Sequence, residues 1–578
     1  MKRSKIVLLF FLFQIYIVPV KCQTIPAARL IDWKNAGLRQ TVFSTTIFKN
    51  IIDFGGNGNG IFVNDNALQN AINSLQNKPG IIYFPTGIYQ FNNSILLKSG
   101  VILRGNESNN TTLRFNLNGQ LSLLKAEGNA TDTISPLLAE ATKGNKFIQV
   151  VNPSLFNNKD FIKIFQNDAG LVTDAYALFS VGQIVQIDSI IDNKLFIASP
   201  LYKDYTIAEN AKVRKLKMLS NIGIECLKIK RLDATVGQTS NVYFNYCTNA
   251  WVRGVDSDSC NFAHVQIANS IHLNVSENYF HGAFAYGSGG KGYGISCEYT
   301  SGNCLIQNNV FRNLRHSMLI QSGANANVFS YNYSINPFKT DTIPYDLSGD
   351  IVLHGNYPYL NLFEGNIVQN IVIDFAHGKN GPFNTFFRNR AELYGFFISP
   401  FAGDSMNIVG TEITNTGFQK GNYLLHGNGH FEFGNNKNDT IIPASTATFT
   451  EASLLYNTTP TFWNNAGNWP SISFPNVINA GTIPAKVRKL INTNIALCTV
   501  RLPTTYVFNG NGNWSDANNW QNNILPVNPL PMGSEIIINP INTGSCILDI
   551  PYTITATNKF TVVDSKKLVI KGNLTIID

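Results

Sequence analysis

All eight histidines of this 578-residue chain, at positions 264, 272, 281, 316, 354, 377, 426 and 430, lie in one window of 167 residues. Imidazole gives and takes protons near neutral pH, so this crowding marks a stretch equipped for chemistry. Four of the eight begin His-Gly dipeptides: His281, His354, His377 and His426. A following glycine permits an unusual backbone angle or a close approach, and it serves equally at a chain corner. The densest run extends from Asp350 to Arg390. It holds Asp350, His354, Tyr357, Glu364, Asp374, His377, Asn384, Arg388 and Arg390, and Arg315-His316 border it.

Two chemistries suit this set. Eliminative cleavage of a uronate needs a base for the C5 proton, a cation for the carboxylate and an acid for the leaving oxygen; His, Tyr and Arg meet all three needs. Hydrolysis needs two carboxyl groups, about 5 Å apart to retain configuration or about 6.5–9.5 Å to invert it, and Asp350, Glu364, Asp374 and Glu392 are candidates. The expected catalytic residues are His316, His354, Tyr357, Glu364, Asp374, His377 and Arg388. The expected substrate-binding residues are Arg315, Arg390, Tyr286, Lys291, Asn384 and Asp350. Arg388 and Arg390 alternate as on one strand face, and Tyr286, Lys291 and Tyr293 accompany a Gly-rich stretch that reads as a groove-lining loop. Structural readings stand beside these. His316 and His354 would serve as hydrogen-bonded coil residues, Glu364 belongs to a repeated strand and turn motif, and Asp374 suits a turn.

Residues so far apart in sequence converge only if a regular scaffold stacks them. With 44% hydrophobic and 14% charged residues, the chain lacks the signature of disorder. Its 74 Asn and 45 Gly are depleted in helices and regular strands, which excludes a helical bundle and favours turn-dense β structure. From about 221 to 415, units of polar, apolar pair, Asn, apolar or aromatic recur, as in Ser276-Glu277-Asn278-Tyr279-Phe280 and Phe386-Phe387-Arg388-Asn389-Arg390. The repeated Asn278, Asn309, Asn332, Asn366 and Asn389 are separated by 31, 23, 34 and 23 residues. A coil of fixed length with variable loops explains this spacing. It predicts an all-β solenoid, a right-handed parallel β-helix of three strands per coil, in which side chains one coil apart stack about 4.8 Å apart. Turn asparagines in the left-handed conformation, bonded to neighbours above and below, account for the Asn excess.

Outside the coils, Asn64 to Asn77 carries Ala67, Leu68, Ala71, Ile72 and Leu75 at helical spacing, with Asn64 or Asp65 as N-cap. Residues about 127–217 read as a small inserted β-subdomain. Residues 505–578, containing Trp514 and Trp520, read as an appended β module for surface attachment, carbohydrate contact or stability. The β-helix is expected over 23–504. Cys297 and Cys304 flank a short loop and are candidates for pairing, Cys226, Cys247 and Cys260 for stacking, and the general expectation is of small buried side chains.

At the N-terminus Lys2, Arg3 and Lys5 precede the apolar run Ile6 to Val18, and Val20-Lys21-Cys22 offers a cleavage site. This predicts a signal peptide over 1–22 and a secreted protein, extracellular, at the cell surface or periplasmic. No stretch predicts a transmembrane segment. The net charge of +8 then points to an anionic polysaccharide partner rather than nucleic acid.

The segment Asp53-Phe54-Gly55-Gly56-Asn57-Gly58-Asn59-Gly60, followed by Ala67 to Ile72 and Ile82-Tyr83-Phe84-Pro85-Thr86-Gly87-Ile88-Tyr89, resembles the N-terminal signature of the pectate-lyase-like superfamily. That superfamily includes polysaccharide lyases, polygalacturonase-type hydrolases and phage tailspikes. The resemblance implies a right-handed β-helix with the predicted helix capping its N-terminal end. The chain departs from the pattern at Asn59, Val63 and Asn64, all within the cap. As in calcium-dependent pectate lyases, Asp256-Ser257-Asp258 is a candidate Ca2+ site, although no cofactor is firmly implied. The Asn-rich composition and Trp-containing C-terminal module also resemble those of secreted Bacteroidetes proteins. The expected function is a polysaccharide lyase acting by β-elimination; a glycoside hydrolase on the same scaffold and a non-catalytic glycan-binding surface protein are the alternatives.

Overall fold

The computed structural model describes residues 24–39, 47–449, 451–463, 466–500, 503–531, 533–555 and 557–577. The predicted signal peptide lies outside the described residues. The body is a parallel β-helix. One wall is a twelve-stranded parallel sheet running from Ile47–Asn50 to Phe431–Phe433. The other two walls belong to a 21-stranded sheet in which the long strands Ile367–Ile373 and Arg390–Ile398 turn the corner between them. The interior is a single apolar column, in which Phe329, Phe363 and Phe386 stack at 5.1 Å intervals. The helix Asp65–Ser74 buries Ala67, Leu68, Ala71 and Ile72 against the first coil. Asn64 occupies its N-cap position without a capping bond, because its side chain instead ties Asn57 to Phe62.

The predicted asparagine ladder is present. Asn278, Asn309, Asn332 and Asn366 each donate from Nδ2 to the Oδ1 of the next at 2.9–3.0 Å, ending on Asn389. Asn327, Asn361 and Asn384 build a second ladder. The backbone detail corrects the expectation. The left-handed residue is not the ladder Asn but the one before it, with φ of +62° at Glu277, +53° at Asn308, +55° at Tyr331, +67° at Gly365 and +54° at Arg388. That turn swings the following Asn inward, where its amide meets backbone groups of adjacent coils.

Between two coils the chain leaves to form a six-stranded antiparallel sheet from Asn129–Pro136 to Lys212–Lys217 with its own core. After the last coil, the described residues between about 443 and 500 return along the outer wall and include the helix Pro484–Ile491. This strap is fastened by the Cys226–Cys498 disulfide. The pairing of Cys297 with Cys304 is thereby corrected: both are free and buried, as are Cys247, Cys260 and Cys546. The C-terminal residues form three short parallel ladders, so this segment is itself a small coil stack. Trp514 and Trp520 are buried at its centre, 4.7 Å apart. They hold the module together and are not exposed platforms for sugars. Among the described residues no helix is long and apolar enough to cross a membrane.

Candidate active site

One wall of the β-helix carries a groove of about 920 Å3. Its floor is the run of strands Ala263–Ala268, Tyr293–Glu298, His316–Ile320, Ile351–Leu353 and Ile367–Ile373, paired in that order. Coil stacking places Glu298, Gln321, His354 and Asp374 in one column, since the backbone ladder continues one residue past the strands that end at Ile320, Leu353 and Ile373. His316 stands beside it, paired in register with Tyr293. The loops that follow Tyr279–Ala283 and Tyr333–Ile335 wall one side with Ser288, Lys339 and Ser348, and the inserted subdomain closes the other with Tyr176.

Three imidazoles line up along this floor. The His316 and His354 rings are 5.9 Å apart and the His354 and His377 rings 4.8 Å apart. Each has its Nδ1 engaged by an oxygen. His316 donates to the Gly349 carbonyl at 2.9 Å, His354 to Asp374 Oδ2 at 2.7 Å, and His377 to Asp174 Oδ2 at 2.8 Å. A carbonyl or carboxylate can only accept, so each Nδ1 carries a proton, and in the neutral ring the Nε2 holds a lone pair. Burial, reinforced by the charges of Arg315 and His354, lowers His316 well below the ordinary histidine value. It stays neutral.

The inserted subdomain contributes directly. Asn356 donates to Asp174 at 2.9 Å and accepts from the Thr173 amide at 2.8 Å. Burial alone would raise the Asp174 carboxyl, but hydrogen bonds from Asn356 and His377 hold it below the usual carboxylate range. The glycines of two His-Gly dipeptides explain how the loop approaches. Gly355 and Gly378 have φ of +80° and +78°. A Cβ on Gly378 would collide with Thr173, and one on Gly355 with the backbone of His377.

Two cations face the groove. Arg315 is buried over the Tyr293 ring, 5.6 Å from its centroid, and donates to the Gly287 carbonyl at 2.7 Å. Lys339 is half-exposed; burial and the neighbouring Arg315 lower its pKa, while Asp341 and Asp374 oppose them. The groove carboxylates are all committed. Glu298 accepts from Gln266 at 2.6 Å and Gln321 at 2.7 Å, one on each oxygen, and burial keeps its pKa raised.

Of the predicted residues, the fold therefore brings together His316, His354, Asp374, His377 and Arg315. The others lie elsewhere. Glu364 is buried under the strap, accepting from Tyr331 and the Leu454 amide. Arg388 donates to the strap carbonyls of Glu451, Ile472 and Phe474. Arg390 pairs with Glu412 at 2.7 Å and donates to Gly481. The shared strand face expected for these two arginines is corrected, because Arg388 occupies the left-handed turn before the strand Arg390–Ile398. Asn384 belongs to the second ladder. Asp350, pushed up to about 6 by burial, is enclosed by Ser334, Ser317 and the amides of Gln369 and Asn370. Tyr357 packs in an apolar cluster with Tyr359. Tyr286 packs on Phe338, its hydroxyl held by Ala283 and Asn313. Lys291 is not among the residues lining the groove, though Gly289 and Gly290 are.

Asp256 and Asp258 face cations of their own: Lys228 at 3.5 Å from both, Lys230 at 2.9 Å from Asp258, and His281 at 2.8 Å from Asp256. Lysines stacked on both carboxylates make this a poor calcium donor set, contrary to the Ca2+ expectation. Asp174, Tyr176, Glu298 and Lys339 escaped the sequence reading. The first two stand in an insert with no repeat to flag them, and only the His-Gly dipeptides hinted at what packs there.

Residues 48–166 match a family model described as rhamnogalacturonase A/epimerase, pectate lyase-like. The capsule K1-specific depolymerase of Klebsiella phage K64-1 is 22% identical over 168 residues, 28% of this chain and 19% of that protein, so the match spans about a fifth of the relative's length. The tailspike protein gp49 from Pseudomonas phage LKA1 is similar in structure at 14% identity and a TM-score of 0.46, over 91% of this chain and 78% of that one. A hyperthermoactive exopolygalacturonase from Thermotoga maritima is similar at 12% identity and a TM-score of 0.34, over 66% of this chain and 84% of that one. The chain is thus a parallel β-helix protein whose residues 48–166 are similar to a pectate-lyase-like family.

Proposed function

We propose that the protein is a secreted polysaccharide lyase that cleaves an acidic glycan by β-elimination in the histidine groove. One observation carries the reading: among the described residues, three imidazoles whose Nε2 atoms have no hydrogen-bond partner share the groove with two cations, whereas Glu298 and Asp374, the carboxylates that line it, are already bound by side chains. Hydrolysis needs a carboxyl pair free to act as acid and base or nucleophile. Elimination needs none.

In the proposed reaction Lys339 and Arg315 bind the uronate carboxylate and stabilise charge as the C5–H bond breaks. His354 Nε2 takes that proton, oriented by Asp374. The C5 electron pair forms the C4–C5 double bond as the C4–O bond breaks. His377, whose protonated form Asp174 stabilises, gives a proton to the departing oxygen. The match to a rhamnogalacturonase/epimerase-type family and the similarity to a capsule depolymerase agree with a polysaccharide substrate.

The test is incubation of the purified protein with a panel of uronate-containing and neutral polysaccharides, following absorbance near 235 nm beside reducing ends. Both signals should rise on a uronate polymer and vanish with His354→Ala. Reducing ends alone would make the protein a hydrolase, and binding with neither signal would make it a glycan-binding surface protein.

A further inference from the structure

The inserted sheet turns one face to its own core and the other toward the coil, and on that second face basic residues are set against each other. Strands Phe161–Phe165 and Lys212–Lys217 pair antiparallel, with Lys163 directly opposite Arg214 and Phe165 opposite Lys212. Like charges in directly opposed cross-strand positions are destabilising. Lys215, pointing the other way, has its carboxylate in Asp160 at 2.7 Å. Among the described residues, no carboxylate lies within 4.0 Å of the charged atoms of Lys163, Lys212 or Arg214. The Arg214 Nε is buried with no hydrogen-bond partner among the same residues. Burial, together with Arg214, brings the Lys163 ammonium down to about 8 against the opposing pull of Asp168. The Asp168 carboxylate is itself occupied by the amides of Phe179 and Val181 at 2.7 and 2.9 Å.

These cations surround a pocket of about 250 Å3 whose remaining walls are largely apolar, with Phe165, Phe179 and Tyr246 around it. Phe165 meets Phe179 edge-on at 5.9 Å, and the Arg214 guanidinium lies 5.6 Å from the Phe165 centroid. A bare inorganic anion fits such walls poorly, because it would lose water without gaining polar partners on the apolar side. A ring carrying one carboxylate fits both halves: its C–H faces against the aromatics, its charge on the guanidinium and ammonium groups.

We propose that this pocket is a second binding site, separate from the histidine groove, for a carboxylate-bearing sugar residue. The proposal shares with the groove reading the premise of an acidic glycan, but it stands on different residues. The loop between the two sites connects them. Phe179, at the pocket, and Asp174 and Tyr176, at the groove, lie in one segment anchored by Asp168. Filling the pocket would therefore firm the loop that carries the partner of His377.

The test is calorimetric titration of the full chain with glucuronate and galacturonate, with glucose, acetate and inorganic phosphate as comparisons. A uronate should bind saturably, more tightly than acetate or phosphate, and glucose should not. Arg214→Gln should weaken uronate binding by about tenfold or more, while the groove variant His354→Ala retains it. Lys163→Met should melt no lower than the wild type without ligand, since a like-charge pair is relieved, and should lose the uronate-induced rise in Tm. Absence of saturable uronate binding, unchanged affinity in Arg214→Gln, or phosphate binding as tight as uronate would each overturn the proposal. Failure of the cleavage assay with uronate binding still lost in Arg214→Gln would remove only the lyase reading.

Discussion

The imidazoles of His354 and His377 stand 4.8 Å apart, inclined at 75°, and each donates its Nδ1 proton to a carboxylate that arrives by a separate route. Asp374 comes from the next coil and Asp174 from the inserted subdomain. The floor of the groove is thus made by the solenoid, and one of its proton-handling pairs is completed by the insertion.

Both carboxylates should matter to turnover. Asp374→Asn and Asp174→Asn remove the charge that stabilises each imidazolium and relax the choice of tautomer. Each should lower kcat on the order of 10²–10⁴-fold while far-ultraviolet circular dichroism stays unchanged. Activity near the wild-type level in both would remove the two pairs from the reaction.

Acid should destabilise the fold through its buried histidines. His264, enclosed by Ser257 at 2.8 Å and the Gly282 carbonyl at 3.1 Å, is lowered by burial to about 3. Its unfolded value is near 6.5. A depressed histidine means that the unfolded chain binds the extra proton, so the stability is present above pH 6.5 and is lost as pH falls from there toward 3. Between pH 7 and pH 5 this one residue should cost about 2 kcal/mol. Urea melts of His264→Gln should fall by that much less than those of the wild type; parallel declines would contradict the assignment.

The asparagine ladder should be a stability element. In Asn332→Ala, the Asn309 amide and side chain lose their acceptor and the Ile306 carbonyl loses its donor. Orphaned buried groups cost roughly 1–3 kcal/mol each, and a loss of about 2–4 kcal/mol is expected in equilibrium unfolding. Asn158→Ala, at an exposed position, should change stability by less than about 0.5 kcal/mol.

Arg388 and the Cys226–Cys498 disulfide should act on the strap and not on chemistry. Arg388→Ala and Cys498→Ser should each expose residues 451–500 to limited proteolysis and lower Tm, with kcat retained. A disulfide of this kind contributes about 2–4 kcal/mol. Loss of kcat in Arg388→Ala without loss of stability would return that arginine to the site.

By itself the sequence determined the coil. The spacing of Asn278, Asn309, Asn332, Asn366 and Asn389 follows from a solenoid, because each coil repeats the same turn and the same need to satisfy buried backbone groups. It also marked the window that holds His316, His354 and His377. Tertiary structure decided which polar residues of that window face the groove. Glu364, Arg388, Arg390 and Asn384 have the right chemistry at the right density, yet the strap and the second ladder consume their hydrogen bonds. Asp174, Tyr176 and Lys339 reach the groove only because insert and loops fold back over the wall. Periodicity reports contacts between neighbouring coils, whereas closure by an insertion or a loop depends on packing between segments that share no repeat.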